Sequence, residues 1–183
     1  MKKERFEAIT DAILAIISTL MVLEIKIGEL TTSNIHHFIA QIVIYVVSFT
    51  YIGILWLNHH NMFRHIELVD NKTIWVNFWL LFSTSLIPLA TITIDENFFD
   101  TKSHVFFGSV LAVVLFFYSL LEERVYKISQ HKYNDTNRKM NWASTLIFVA
   151  SIPLSYVSIY ISSAIFVLVP FSYLLLPNKA RQN

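Results

Sequence analysis

Six apolar runs, each 17 to 21 residues long, follow one another along this 183-residue chain and leave it few alternatives. They are Phe6–Ile25, Phe38–Leu57, Ile74–Ile94, His104–Leu121, Asn141–Val157 and Ile159–Leu176. At about 1.5 Å rise per residue, a helix of that length nearly crosses the roughly 30 Å hydrocarbon layer of a bilayer. Within that layer only helices and closed barrels satisfy their own backbone. Composition agrees, with 15% charged residues against about a quarter in soluble domains. The expected fold is an all-α membrane protein of six transmembrane helices, forming a single domain over residues 1–183. Pro88, Pro153 and Pro170 fall inside the third, fifth and sixth runs, and each is expected to kink its helix. Only a Ser-Ile-Tyr corner at Ser158–Tyr160 separates the last two runs.

The charges set the orientation. With the N-terminus in the cytoplasm, twelve of the fourteen lysines and arginines lie on that side, leaving only Lys26 and Lys102 outside. That split follows the positive-inside rule and puts both termini in the cytoplasm. The opening Met-Lys-Lys-Glu-Arg resembles the basic start of a signal peptide. No small-x-small cleavage site follows between Leu20 and Glu29, so the first run is expected to stay as a helix. The absence of cysteine excludes disulfides, thiolate metal sites and a cysteine nucleophile. A net charge of +1 gives no bias toward nucleic acid.

The first run carries an aspartate, Asp11, inside an otherwise apolar helix. A carboxylate near the bilayer centre costs about 2.5–3.5 kcal/mol on insertion scales, so it needs a partner or a watery path. With Asp11 set to zero and roughly 100° per residue, Ala15, Ser18, Val22 and Ile25 fall within roughly 40° of it. Ile16, Leu20 and Leu23 fall at roughly 120–180° as an aliphatic ridge, flanked by Thr19 near 80°. In one reading Asp11 and Ser18 face the subunit's own bundle and the ridge faces lipid. In the other, the ridge meets its own copies around a symmetry axis as a hydrophobic constriction, which requires an oligomer.

A polar cluster, Trp56-Leu-Asn-His-His-Asn-Met-Phe-Arg-His65, ends the second run at the same cytoplasmic level as Arg5 and Asp11. His59, His60 and His65 could hold a metal, but adjacent His59 and His60 diverge by about 100° on a helix. Holding the Asp11 carboxylate with imidazole or amide donors fits better. The expected network joins Arg5, Thr10, Asp11, Ser18, Asn58, His59, His60 and Asn77, with no metal and no bound cofactor.

These residues carry a resemblance. Arg5, three residues, then Ile9-Thr10-Asp11 and a small, aliphatic run closing on Leu23-Glu24-Ile25 resembles the first helix of the transmembrane protein 175 family of potassium channels. That family's motif is an arginine, three variable residues and Phe-Ser-Asp. Trp56, Asn58, His59, His60, Phe63 and Arg64 resemble its second helix, and Asn77 and Pro88 its third. The departures are Ile9-Thr10 for Phe-Ser, which loses an aromatic ring and keeps a hydroxyl, and Ala12 where a glycine is often found.

The resemblance implies a homotetramer whose pore is formed by the first helix. It implies a constriction at Ile16, Leu20 and Leu23, potassium preference supported by Thr19, and Glu24 at the outer mouth. The expected function is passive, potassium-selective or potassium-preferring conduction of monovalent cations across a bacterial inner membrane, with the lipid bilayer as surroundings and no enzyme activity. The alternatives are a proton-coupled secondary transporter using Asp11 and a membrane metal protein using the histidine cluster. Transporters commonly show internal repeats, and the sequence shows none.

Overall fold

The computed structural model describes residues 1–25, 35–64, 66–129 and 135–175. Lys26, Glu29, His65 and Leu176, and the basic residues Lys132, Lys179 and Arg181 on the cytoplasmic side, lie outside those residues. The described residues form helices α1 (Lys3–Leu23), α2 (Ile35–Phe63), α3 (Asn71–Thr84), α4 (Ile87–Glu96), α5 (Thr101–Ile128), α6 (Asp135–Val157) and α7 (Ile159–Leu175). Five stretches are long and apolar enough to cross a membrane, and Ile159–Tyr173 is a shorter apolar helix beside them. One of the five, Asn71–Glu96, is α3 and α4 together. The six runs of the sequence thus fall on the helices of a multi-pass integral membrane protein, five of them in stretches long and apolar enough to cross and the sixth in the shorter apolar helix.

The break in the third span sits at Ser85–Leu86, just before Pro88. Pro88 occupies the first turn of α4, where its missing N–H is no loss. The Ser85 N–H closes the end of α3 on the Leu81 carbonyl at 2.9 Å. Pro153 and Pro170 sit inside continuous helices. At the corner between α6 and α7, the Ser158 N–H donates to Leu154 at 2.9 Å, and its carbonyl accepts from Ile161 at 3.2 Å. A corner this short forces α6 and α7 to run antiparallel.

Three tethers fix the register of the bundle. The Met1 ammonium donates to the Val69 carbonyl at 2.9 Å, and the Lys3 N–H donates to Glu67 at 3.2 Å. The start of α1 is thus tied to the segment between α2 and α3. At the opposite end Gln41 Nε2 donates to Asp95 at 2.7 Å, joining α2 to α4. In the second half, Asn141 Nδ2 donates to Glu122 Oε2 at 2.8 Å, and the Tyr173 hydroxyl lies 2.7 Å from Asn141 Oδ1. That buried cluster ties α5, α6 and α7 together near the level of the Met1 end. Gly108 lets α5 and α6 approach closely, since a Cβ there would lie 2.9 Å from Ser151 Oγ.

Candidate functional site

The buried face of α1 is Phe6, Thr10, Leu14, Ile17 and Met21, spaced by three and four residues. One of the two sequence readings turns Asp11 and Ser18 toward the bundle. Both lie only half-buried at the edge of that face, and the Ser18 hydroxyl returns to the Leu14 carbonyl at 2.8 Å. The centre of the buried face lies roughly 100° from Asp11, because the large side chains that fill the core are there.

The aliphatic ridge stands free on the protomer surface. Ile16 is 57% exposed, Leu20 48% and Leu23 76%. Thr19 and Glu24 share this exposure, and the Thr19 hydroxyl bonds back to the Ile16 carbonyl at 2.8 Å. Ile9, which replaces the family's phenylalanine, lies on the same exposed arc. Its loss of an aromatic ring therefore leaves the core untouched.

Behind α1 runs a directional chain of hydrogen bonds. His59 Nε2 lies 3.1 Å from Asn77 Oδ1, Asn77 Nδ2 donates to Thr10 Oγ1 at 3.0 Å, and the Thr10 hydroxyl donates to the Phe6 carbonyl at 3.2 Å. An amide oxygen only accepts, so His59 donates through Nε2. All three side chains are buried, and together they fasten α1, α2 and α3. The Phe6 ring stacks on His59 at 5.8 Å and meets Phe63 at 4.8 Å.

The remaining expected members lie elsewhere. The partner of Asp11 is the indole of Trp56, whose Nε1 donates at 3.0 Å, and not an imidazole or amide. His60 is exposed, stacks on Trp56 at 6.4 Å and lies 3.8 Å from Glu7. Asn58 turns into an interior cavity of about 40 Å³ with Tyr51, Tyr118 and Tyr173. Arg5 is exposed. His59 and His60 point to different surroundings, and among the described residues no three His, Asp or Glu side chains converge as a metal site.

Sequence reasoning missed Trp56 as the carboxylate's donor, Phe6 as the network's lid, and the Glu122–Asn141–Tyr173 cluster. A donor-bearing tryptophan inside a span was the available signal for the first.

The family model of the endosomal/lysosomal potassium channel TMEM175 matches residues 5–88. A potassium channel of Chryseobacterium sp. (strain P1-3) is 32% identical, over 98% of this chain and 95% of its own length. The chain belongs to the TMEM175 family. The segment matched by the TMEM175 model contains every residue of the Thr10–Asn77–His59 chain, the Asp11–Trp56 pair and the exposed ridge. The endosomal/lysosomal proton channel TMEM175 of Rattus norvegicus is 26% identical over 96% of this chain, which spans 42% of that protein. The crystal structure of a lysosomal potassium-selective channel TMEM175 homolog from Chamaesiphon minutus shares the fold. Its TM-score is 0.78 at 20% identity, covering 94% of this chain and 96% of that one.

Proposed function

We propose that this protein is a passive potassium channel, in which four copies surround an axis along the membrane normal with α1 innermost. Ile16, Leu20 and Leu23 then form apolar rings that narrow the path, Thr19 contributes a hydroxyl between them, and Glu24 concentrates cations at the outer mouth. Both termini face the cytoplasm of a bacterial cell, in keeping with the basic residues. Arg5 lies at the cytoplasmic entrance. The Thr10–Asn77–His59 chain and the Asp11–Trp56 pair hold α1 against its own protomer and do not touch the ion.

The observation that carries this reading is the exposure of the ridge, 57% at Ile16 and 76% at Leu23, on the helix most tightly tied to the polar network. A helix anchored on one face by the polar chain and bare on the other presents that bare face either to acyl chains or to its own copies, and the family resemblance of α1 favours the copies. The cavity lined by Tyr51, Asn58, Tyr118 and Tyr173 holds about 40 Å³, little more than a water, and a path shared between copies on a symmetry axis needs no such cavity. An apolar ring selects by forcing a permeant ion to shed water and by dewetting when narrow.

The test is recording in planar bilayers under opposed potassium and sodium gradients, with the oligomer's mass measured in the same preparation. A reversal potential displaced toward that of potassium, from a tetramer, is expected. Absence of cation current, or a reversal potential indifferent to potassium, refutes the reading. Vertebrate relatives bear the name of proton channels, so a proton gradient is imposed as well. A reversal potential that follows protons alone would replace potassium by protons as the permeant ion.

A further inference from the structure

A groove of about 220 Å³ runs along the protomer surface between α1 and α2, walled by Leu14, Ala15, Ser18, Phe49 and Trp56, with Gly53 in its floor. A Cβ at Gly53 would meet nothing within 4 Å, so the floor is open. One water takes about 30 Å³ of liquid, and the groove is therefore of side-chain size. At one end lies the Asp11–Trp56 hydrogen bond, exposed although both residues belong to membrane spans. A carboxylate left there against acyl chains carries the cost of an intramembrane charge. Water or a neighbouring protein surface relieves that cost, and lipid does not.

The other flank of the protomer presents the matching shape. On α3, Trp75, Phe78, Trp79 and Phe82 form an edge-to-face ladder with centroid spacings of 5.7, 5.7 and 5.8 Å. Phe78 is 51% exposed and Phe82 53%. Their depth follows from the hydrogen bond between Asn77 and Thr10. Both helices rise from the same end of the bundle at about 1.5 Å per residue, so Phe78 is level with Asp11 and Phe82 with Ala15. The groove spans Asp11 to Ser18. Rotation about the membrane normal preserves depth, so in a ring of copies these rings arrive at the level of the groove.

The edges of α1 supply the direction. Asp11, at the edge of the buried face, bonds Trp56 of α2, and Thr10, at the centre of that face, accepts from Asn77 of α3, so α2 and α3 pack against α1 from different sides while the bare ridge points away from both. Copies arranged head to tail around the axis of the ring bring the α2 side of one against the α3 side of the next. We propose that the α1–α2 groove of each protomer receives Phe78 and Phe82 from the neighbouring copy, which covers the Asp11–Trp56 pair and completes the assembly. This rests on the tetrameric reading above and assigns its contact.

The cysteine-free sequence makes the test clean. Gly53→Cys and Phe82→Cys are made singly and together, and membranes are treated with a short bifunctional methanethiosulfonate reagent. The double variant is expected to give a non-reducing ladder up to four chains, and each single variant only monomer. Ala15→Cys with Phe78→Cys serves as a second pair should the first fail to fold, with the same expectation. Absence of cross-linking while native mass measurement still gives a tetramer overturns the contact and leaves the channel reading standing. Dimers from a single variant overturn it in favour of a two-fold interface. A monomeric native mass overturns both readings.

Discussion

Asn77→Ala is the most informative stability perturbation, because Asn77 is the hub of the polar chain. It loses two bonds, to His59 at 3.1 Å and to Thr10 at 3.0 Å. Interhelical hydrogen bonds in membrane proteins contribute about 0.6–2 kcal/mol each. The Thr10 hydroxyl keeps its bond to the Phe6 carbonyl, so it is not orphaned. His59 is 1% exposed, and its Nε2–H is left unpaired at a cost of about 1–3 kcal/mol. Counting the Thr10 bond once and the His59 bond only through its orphaned donor, the sum is about 2–5 kcal/mol, less any relaxation. His59→Phe keeps a ring against Phe6 and removes the donor, so the double variant His59→Phe/Asn77→Ala is expected to be less destabilised than the sum of the singles. The coupling is expected at about 1–3 kcal/mol. The assay is equilibrium unfolding by added SDS from mild micelles, followed by tryptophan fluorescence. A loss under about 0.5 kcal/mol for Asn77→Ala, or strict additivity, would refute the argument that a buried imidazole depends on that amide.

Two further outcomes follow from local geometry. Gly108→Ala places a Cβ 2.9 Å from Ser151 Oγ and 3.4 Å from the Phe166 ring. It is expected to lower stability by about 1–3 kcal/mol through overpacking, with partial recovery when combined with Ser151→Ala; a neutral effect in the same unfolding assay contradicts the close α5–α6 approach. Asp70 caps α3, accepting from the Thr73 N–H at 3.0 Å, and hydrogen bonding from Thr73 holds its carboxyl below the usual range. A group depressed in the folded state stabilises above its unfolded pKa, about 3.9, and loses that contribution as pH falls through its folded value. Asp70→Ala should therefore cost about 0.5–2 kcal/mol at pH 7, with the difference from the parent narrowing below about pH 4. A difference that stays constant to pH 3 in the same assay would contradict it.

The sequence displayed those features that depend on one helix at a time. Apolar run length located all six helical runs, five of them long and apolar enough to cross a membrane, since the bilayer measures each independently. Rotation of α1 isolated the Ile16–Leu20–Leu23 ridge, because 3.6-residue geometry needs no knowledge of neighbours. His59 and Asn77 stood out as polar groups inside apolar runs, and burial forced them to find each other. Features set by how two helices cross stayed hidden. Whether Asp11 meets Trp56 or His60, one turn further along α2, depends on register, which the Met1–Val69 and Lys3–Glu67 tethers fix. Asn58 adjoins His59 in sequence yet faces the cavity, as a 100° step on a helix requires. The helix break at Ser85–Leu86 and not at Pro88 follows from proline acting on the turn that precedes it.

The central claim is that the ridge of α1 lines a path shared between copies. Cysteine placed at Ile16 or Leu23, in a chain with no other, reports this directly through thiol-reagent block of single-channel potassium current. Tyr156→Cys is the comparison, since Tyr156 is 72% exposed on α6, away from the ridge. The account predicts stepwise loss of current at Ile16→Cys and Leu23→Cys and none at Tyr156→Cys. Current that persists at full amplitude after labelling of the ridge positions would contradict it.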